Sequence, residues 1–223
     1  MEYYPIFMDI KGKPCVVIGG GRVAERKVLS LLNAGAKVCV VSPRLTDGIK
    51  KLVRERRVKV IKRAYKQGDI DSAFLAYSAT DKREINREIF KEAKGKGILL
   101  NVVDVPDMCN FIVPSVVERG DLLIAISTSG KSPALAKRIR KRLGKEFGEE
   151  YAVFVKVMGC IRRGLLKKGM ESHKNKKIFE KLVNSSLMDL IKQKNRKAID
   201  TLLKKAVGKE FTLAKMKIKL GDR

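Results

Sequence analysis

Residues 16–24 read VVIGGGRVA, a G-x-G-x-x-A pattern set directly after an apolar run and at the start of an amphipathic one. In that setting each small residue has a task in holding a dinucleotide. Gly19 permits the tight turn, Gly21 lets backbone amides approach a pyrophosphate, and Ala24 lets a helix pack closely on a sheet, while the helix N-terminus attracts the phosphates. A tight βα turn without a ligand carries the same glycines, so the weight of the pattern comes from the strand before it and the helix after it. An acidic residue about 20 positions downstream usually binds the adenosine ribose. Here the second apolar run ends at Ser42-Pro43-Arg44, and the nearest acid is Asp47. Ser42 suits a ribose hydroxyl and Arg44 suits a 2′-phosphate, so the motif points to a dinucleotide and leaves NAD and NADP both open.

Asp104 follows an apolar run at 98–103 (ILLNVV) and so falls at the carboxyl edge of a parallel sheet, where ligands of such folds collect. Its alternative is a turn carboxylate ahead of Pro106. Asp81 begins Asp81-x-x-Glu84, the pattern of a capping box, which needs no chemical explanation. Thr128-Ser129-Gly130-Lys131-Ser132 joins a strand to a basic helix, and its hydroxyls, its amides and Lys131 suit ligand carboxylates, or simply a helix entry. Lys137, Arg138, Arg140, Lys141 and Arg142 form either one wall of an anion site or a solvated face. His173, in the polar stretch ESHKNKK, reads as a solvated loop histidine.

The elements that must position these residues follow from apolar periodicity. Strands are expected at 14–18, 37–41, 58–61, 75–78 and 98–103, with helices at 23–34, 47–56 and 81–94, an alternation that gives a doubly wound, Rossmann-type α/β sheet. The pattern then changes. Residues 111–117 and 122–127 are two strands joined by the Glu118-Arg119-Gly120-Asp121 turn, and Ser132-Pro133 supplies an N-cap and an N1 proline to a helix at 134–143. Beyond Gly144 the strands stop. Phe147, Tyr151, Phe154, Met158, Ile161 and Leu165 step by 4, 3, 4, 3 and 4, one face of a long helix, and further helical stripes follow at 179–190 and 199–206. The expected organisation is a dinucleotide-binding domain at 1–113, a small strand-plus-helix region at 114–143 and an all-helical subdomain at 144–223.

Composition sets the outer bounds. The 223 residues carry 50 Lys and Arg against 24 Asp and Glu, a formal charge of +26. Residues 1–143 hold +14 of it and 144–223 hold +12, so no basic arm stands apart to bind nucleic acid. Part of the excess also fits the Lys-rich, Trp-free surface style of proteins from hot environments. Four cysteines without a C-x-x-C and a single histidine argue against a structural metal site. The amino terminus lacks a long apolar segment and no run approaches 18 apolar residues, so neither secretion nor membrane spanning is indicated and reduced thiols in the cytoplasm are expected.

Taken together, the segments PIFMDIKGKPCVVIGGGRVAERKVLSLLNAGAKVCVVSP, SATD and NVVDVPDMCNFIVPSVVERGDLLIAISTSGKSPALAKRIRKRL resemble the amino-terminal module of siroheme synthases and the stand-alone precorrin-2 dehydrogenases. The resemblance is dense from residue 5 to about 143. It implies NAD-dependent oxidation of precorrin-2 to sirohydrochlorin and, in some members, insertion of ferrous iron. It also implies a homodimer joined through the middle strands, with NAD as cofactor. By motif, Gly21, Arg22 and Val23 would hold the pyrophosphate, with Gly19 at the turn also counted among the cofactor-binding residues, Ser42, Pro43 and Arg44 would lie beside the adenosine, and Thr80 and Asp81 would flank the cofactor. Asp104 falls on the family's functional carboxylate, and Thr128, Ser129 and Lys131 are candidate substrate contacts, with Thr128 standing where some relatives have serine. The charge then has a small-molecule explanation, since precorrin-2 is an octacarboxylate. A dinucleotide-sensing module without catalysis is the alternative reading, but it gives no reason for NVVD or for the helical region.

Overall fold

The computed structural model describes residues 3–169 and 172–221. The chain separates into two compact units, Met1–Val113 and Pro114–Arg223.

In the amino-terminal unit, β1 (Pro14–Ile18), β2 (Lys37–Val41), β3 (Val58–Ile61), β4 (Leu75–Ser78) and β5 (Leu99–Val102) form one parallel sheet in the order β3-β2-β1-β4-β5. The first four coincide with the expected strands. β5 is one residue shorter at each end: the Ile98 amide is tied to the Ala93 carbonyl of the preceding helix, and a turn closed by the Val105 amide on the Val102 carbonyl ends the strand. Continuous apolar runs such as PCVVI and KVCVV are what a sheet covered on both faces requires. On one face α1 (Arg22–Asn33) and α2 (Asp47–Arg54) bury Val28, Leu31, Ile49 and Leu52 against Val17, Val38, Val40 and Tyr77. On the other, α3 (Arg83–Lys96) packs Ile89 and Ala93 against Val16, Ile18, Ala76 and Leu100.

The β3-to-β4 crossover contains no helix and needs other anchors. Arg63 makes two hydrogen bonds to Asp69, and the Tyr65 hydroxyl donates to the buried Glu92 carboxylate of α3, which also accepts from the Gly68 amide and the Lys96 ammonium. The expected capping box at Asp81 and Glu84 does not form. The helix starts two residues later, after Lys82, with no side-chain cap, and the Thr80 hydroxyl accepts from the Lys82 amide.

In the carboxy-terminal unit, β6 (Ser115–Arg119) and β7 (Leu122–Ile126) form an antiparallel hairpin. α4 (Pro133–Glu146) follows, with Ser132 capping its first turn through the Leu135 amide and Pro133 at its first position. It runs through Gly144, further than the basic run at 134–143 suggested. The helices α5 (Glu150–Lys167), α6 (Ser172–Val183), α7 (Leu187–Lys192) and α8 (Arg196–Ala206) enclose Val157, Ile161, Leu165, Leu187, Ile199 and Leu203. The stripe at 179–190 is split between α6 and α7, and His173 lies exposed in the first turn of α6 rather than in a loop. No helix among the described residues is long and apolar enough to cross a membrane.

Candidate active site

Strand order reverses between β1 and β4, and in open parallel sheets ligands bind at the carboxyl ends of the strands at that switch point. Two loops meet there. The Gly19 amide donates to the Val41 carbonyl of β2, and the Ala79 amide donates to the Ile18 carbonyl of β1. Gly19 has φ +114°, and a Cβ at that position would overlap the Ala79 carbonyl oxygen. Only glycine fits, on both counts.

Gly20, which the fingerprint leaves as a variable position, is as tightly enclosed. A Cβ there would overlap the Arg44 carbonyl oxygen and stand 2.8 Å from the Ser42 hydroxyl oxygen. The Gly20 carbonyl accepts from the Thr46 amide, and the Ser42 hydroxyl donates to the Arg44 carbonyl at 2.7 Å. The Ser42-Pro43-Arg44 loop is thereby fastened to the glycine loop. The Ser42 side chain is buried with its proton committed to the backbone, so toward a ribose it acts as an acceptor, while Pro43 and Arg44 are exposed.

Gly21 is different in kind. Its φ of −81° is open to any residue, and a Cβ there would meet nothing within 4 Å. Neither backbone strain nor protein packing calls for glycine, and no side chain caps the first turn of α1. Arg22 is exposed and Val23 half-buried. A site with bare amides at a helix N-terminus and open space at Gly21 fits a pyrophosphate.

The loop after β4 is held from below. The buried Ser78 hydroxyl donates to Asn86 Oδ1 at 2.6 Å, and Asn86 Nδ2 donates to the Thr80 carbonyl at 3.3 Å. This leaves Thr80 half-buried and Asp81 exposed beside the glycine loop. Asn86 escaped notice in the sequence, although a polar residue in register with Ile89 and Ala93 on the buried stripe of α3 was the available signal.

Asp104 stands two residues beyond β5 at φ +60°, exposed, with no hydrogen bond or ion pair to its carboxylate among the described residues. Aspartate is among the few side chains that tolerate this left-handed conformation. The chain then doubles back along β5. Cys109 Sγ bonds to the backbone of Val102, the Asn110 amide donates to the Leu100 carbonyl, and Asn101 Nδ2 donates to the Phe111 carbonyl. Phe111 meets Tyr77 edge to face, with centroids 5.7 Å apart. Gly19, Gly21, Ser42, Thr80, Asp81 and Asp104 thus share one sheet edge.

Thr128, Ser129 and Lys131 belong to the carboxy-terminal unit. There the Thr128 hydroxyl accepts from the Ser132 amide at 3.0 Å and its carbonyl from the Lys131 amide, while Ser129 has φ +50° and Lys131 is exposed. A hydroxyl at 128 therefore shapes the loop and keeps a proton to donate. Among the described residues no group of three or more His, Cys, Asp or Glu side chains is placed to hold a metal ion.

The fold, the switch-point cradle and the uncapped helix define the amino-terminal unit as a Rossmann-type dinucleotide-binding domain. Residues 6–115 match the family model described as "Putative NAD(P)-binding", and 119–146 match "Sirohaem biosynthesis protein central". The chain is similar to siroheme synthases over part of their length. It is 45% identical over 143 residues to the siroheme synthase of Methylobacillus flagellatus, covering 64% of this chain and 31% of that one. It is 34% identical over 191 residues to that of Photobacterium profundum, covering 86% and 41%. The chain therefore spans about a third to two fifths of the length of these relatives. It is also similar to the solved structure of SirC, precorrin-2 dehydrogenase, with a TM-score of 0.76 and 25% identity over 89% of this chain and 100% of that one.

Proposed function

We propose that the chain is an NAD-dependent oxidoreductase that converts precorrin-2 to sirohydrochlorin in siroheme biosynthesis. The observation that carries this reading is the sharing of one sheet edge by a dinucleotide cradle, open at Gly21, and a carboxylate, Asp104, that has no hydrogen bond or ion pair among the described residues. It is supported by the likeness to SirC along that protein's full length.

Bound NAD supplies a two-electron hydride acceptor. The amides of Gly21, Arg22 and Val23 hold its pyrophosphate, Ser42, Pro43 and Arg44 border its adenosine, and Thr80 and Asp81 flank it. Dehydrogenation removes one hydride and one proton from the macrocycle. With NAD bound as the hydride acceptor, Asp104 would accept the proton and return it to water. Thr128, Ser129 and Lys131 hold carboxylates of the substrate. Residues 114–143 join two copies into a homodimer, 144–223 form the helical domain, and four unpaired cysteines fit a cytoplasmic setting. Neither nucleic acid nor a membrane has a part in this reading.

Incubating the protein with precorrin-2 and NAD tests it. Reduced cofactor and sirohydrochlorin should appear in equal amounts, whereas NAD binding with an unchanged macrocycle would make the chain a dinucleotide sensor. Adding ferrous iron to the same mixture reads out metal insertion separately.

A further inference from the structure

β5 is the last strand of its sheet, with no further strand beside it among the described residues, so the amides and carbonyls on its outer side must find other partners. Two side chains supply most of them. Asn110 Oδ1 accepts from the Leu100 amide at 2.8 Å and its Nδ2 donates to the Ile98 carbonyl at 2.9 Å, while the Asn110 amide donates to the Leu100 carbonyl. One step further along the strand, Cys109 Sγ accepts from the Val102 amide at 3.2 Å, and its proton is shared between the Val102 carbonyl at 3.2 Å and the Val105 carbonyl at 3.3 Å. The thiol thus spans both ends of the four-residue turn 102–105. That turn needs a second fastening. Its closing bond, from the Val105 amide to the Val102 carbonyl, is long at 3.3 Å, and Asp104 stands at its third position with φ +60°, where glycine or asparagine is usual. Burial pushes the Cys109 thiol up against the opposing pull of the Val102 amide and the Lys27 ammonium, so the group keeps the proton that the carbonyls require.

We infer that Cys109 is a positioning residue for Asp104: by bonding to both ends of the 102–105 turn, its thiol holds the Asp104 backbone left-handed and the carboxylate directed at the site. This rests on the reading of Asp104 as the proton acceptor. The effect passes through the turn backbone, and the thiol itself takes no proton from the substrate. Asn110 fixes the strand that leads into the turn and Cys109 fixes the turn. The Val103 amide, donating to the Ser78 carbonyl at 2.9 Å, ties both to the end of β4, where the loop of Thr80 and Asp81 begins.

The test is turnover of precorrin-2 with NAD in three variants. Cys109→Val and Cys109→Ala remove the hydrogen-bonding group, and Cys109→Ser keeps one that both accepts and donates. NAD affinity, which rests on the glycine loop, should be unchanged in all three. Cys109→Val and Cys109→Ala should lower kcat about 10-fold, within the range for a reacting group held out of place, at a nearly constant KM for precorrin-2, and Cys109→Ser should recover most of the loss. In an Asp104→Asn background, Cys109→Val should add almost nothing, because two residues that act through one carboxylate are not additive. Natural kcat in both Cys109→Val and Cys109→Ala, with Asp104→Asn impaired, overturns the proposal and spares the Asp104 reading. An equal loss from Cys109→Val in the natural and Asp104→Asn backgrounds, or a loss that Cys109→Ser does not recover, also overturns it and makes Cys109 a packing residue. Full activity in Asp104→Asn removes the Asp104 reading and this proposal together.

Discussion

Gly20 and Arg44 meet so closely that a Cβ on Gly20 would overlap the Arg44 carbonyl oxygen. The same carbonyl accepts the Ser42 hydroxyl, and the Gly20 carbonyl accepts the Thr46 amide. The glycine loop and the 42–46 loop are therefore one hydrogen-bonded body, and the middle glycine is what allows it. In a dinucleotide fold without an acidic residue at the end of β2, this fastening would define the side proposed to border the ribose.

Gly20→Ala should push the 42–46 loop away from the glycine loop. Both thermal stability and NAD affinity should fall, the latter by 10-fold or more on the scale of about 1–3 kcal/mol for forced overpacking. Calorimetric titration and a melting curve check the two together.

Gly21→Ala separates ligand from fold. The backbone there suits alanine and the Cβ meets no protein atom, so stability should change by no more than about 1 kcal/mol, the scale of an N-cap substitution. NAD affinity should still fall about 10-fold or more, because the methyl group occupies the approach to the helix amides. Unchanged affinity would place the pyrophosphate elsewhere.

The legible parts of this molecule were those governed by local rules. The strands at 14–18, 37–41, 58–61 and 75–78 show as short apolar runs because both faces of the sheet are covered, and Ser132-Pro133 announces α4 because capping is decided within one turn. The parts decided by partners far along the chain were not legible. Identity alone does not separate Gly20, pressed on a backbone carbonyl, from Gly21, open to solvent. The capping pattern at Asp81 fails because Asn86 and the Thr80 hydroxyl organise that loop first. Lys27 is one of many lysines until Tyr77 is seen beneath it.

The crossover at 62–74 should give the protein an acid-sensitive anchor. The Arg63 hydrogen bonds, with help from the Lys66 amide, hold the Asp69 carboxyl below its ordinary value. A carboxylate depressed in the folded state stabilises it above the unfolded pKa of about 3.9, and that contribution is lost as pH falls through the folded value. Asp69→Asn should therefore melt at lower temperature than the natural protein at pH 7. Once the pH has fallen below the depressed folded pKa of Asp69, the two melting temperatures should converge. Parallel curves across the whole range would mean that the carboxylate charge contributes nothing.

Asp104 carries the most exacting expectation, because its backbone and its carboxylate make separate demands. At φ +60° an alanine would add strain of about 1–2 kcal/mol, which confuses loss of chemistry with loss of structure. Asparagine tolerates the left-handed region and keeps the shape, so Asp104→Asn should melt within a few degrees of the natural protein. It should bind NAD equally well, since the pyrophosphate amides lie on the loop after β1. Turnover of precorrin-2 should nonetheless drop by about 10²-fold or more, the range for a positioned base. Asp104→Gly, which relieves the backbone and also lacks the carboxylate, should fall equally far. Turnover near the natural level in both variants would reduce Asp104 to a turn residue and leave dehydrogenation to alignment of the substrate with the nicotinamide alone.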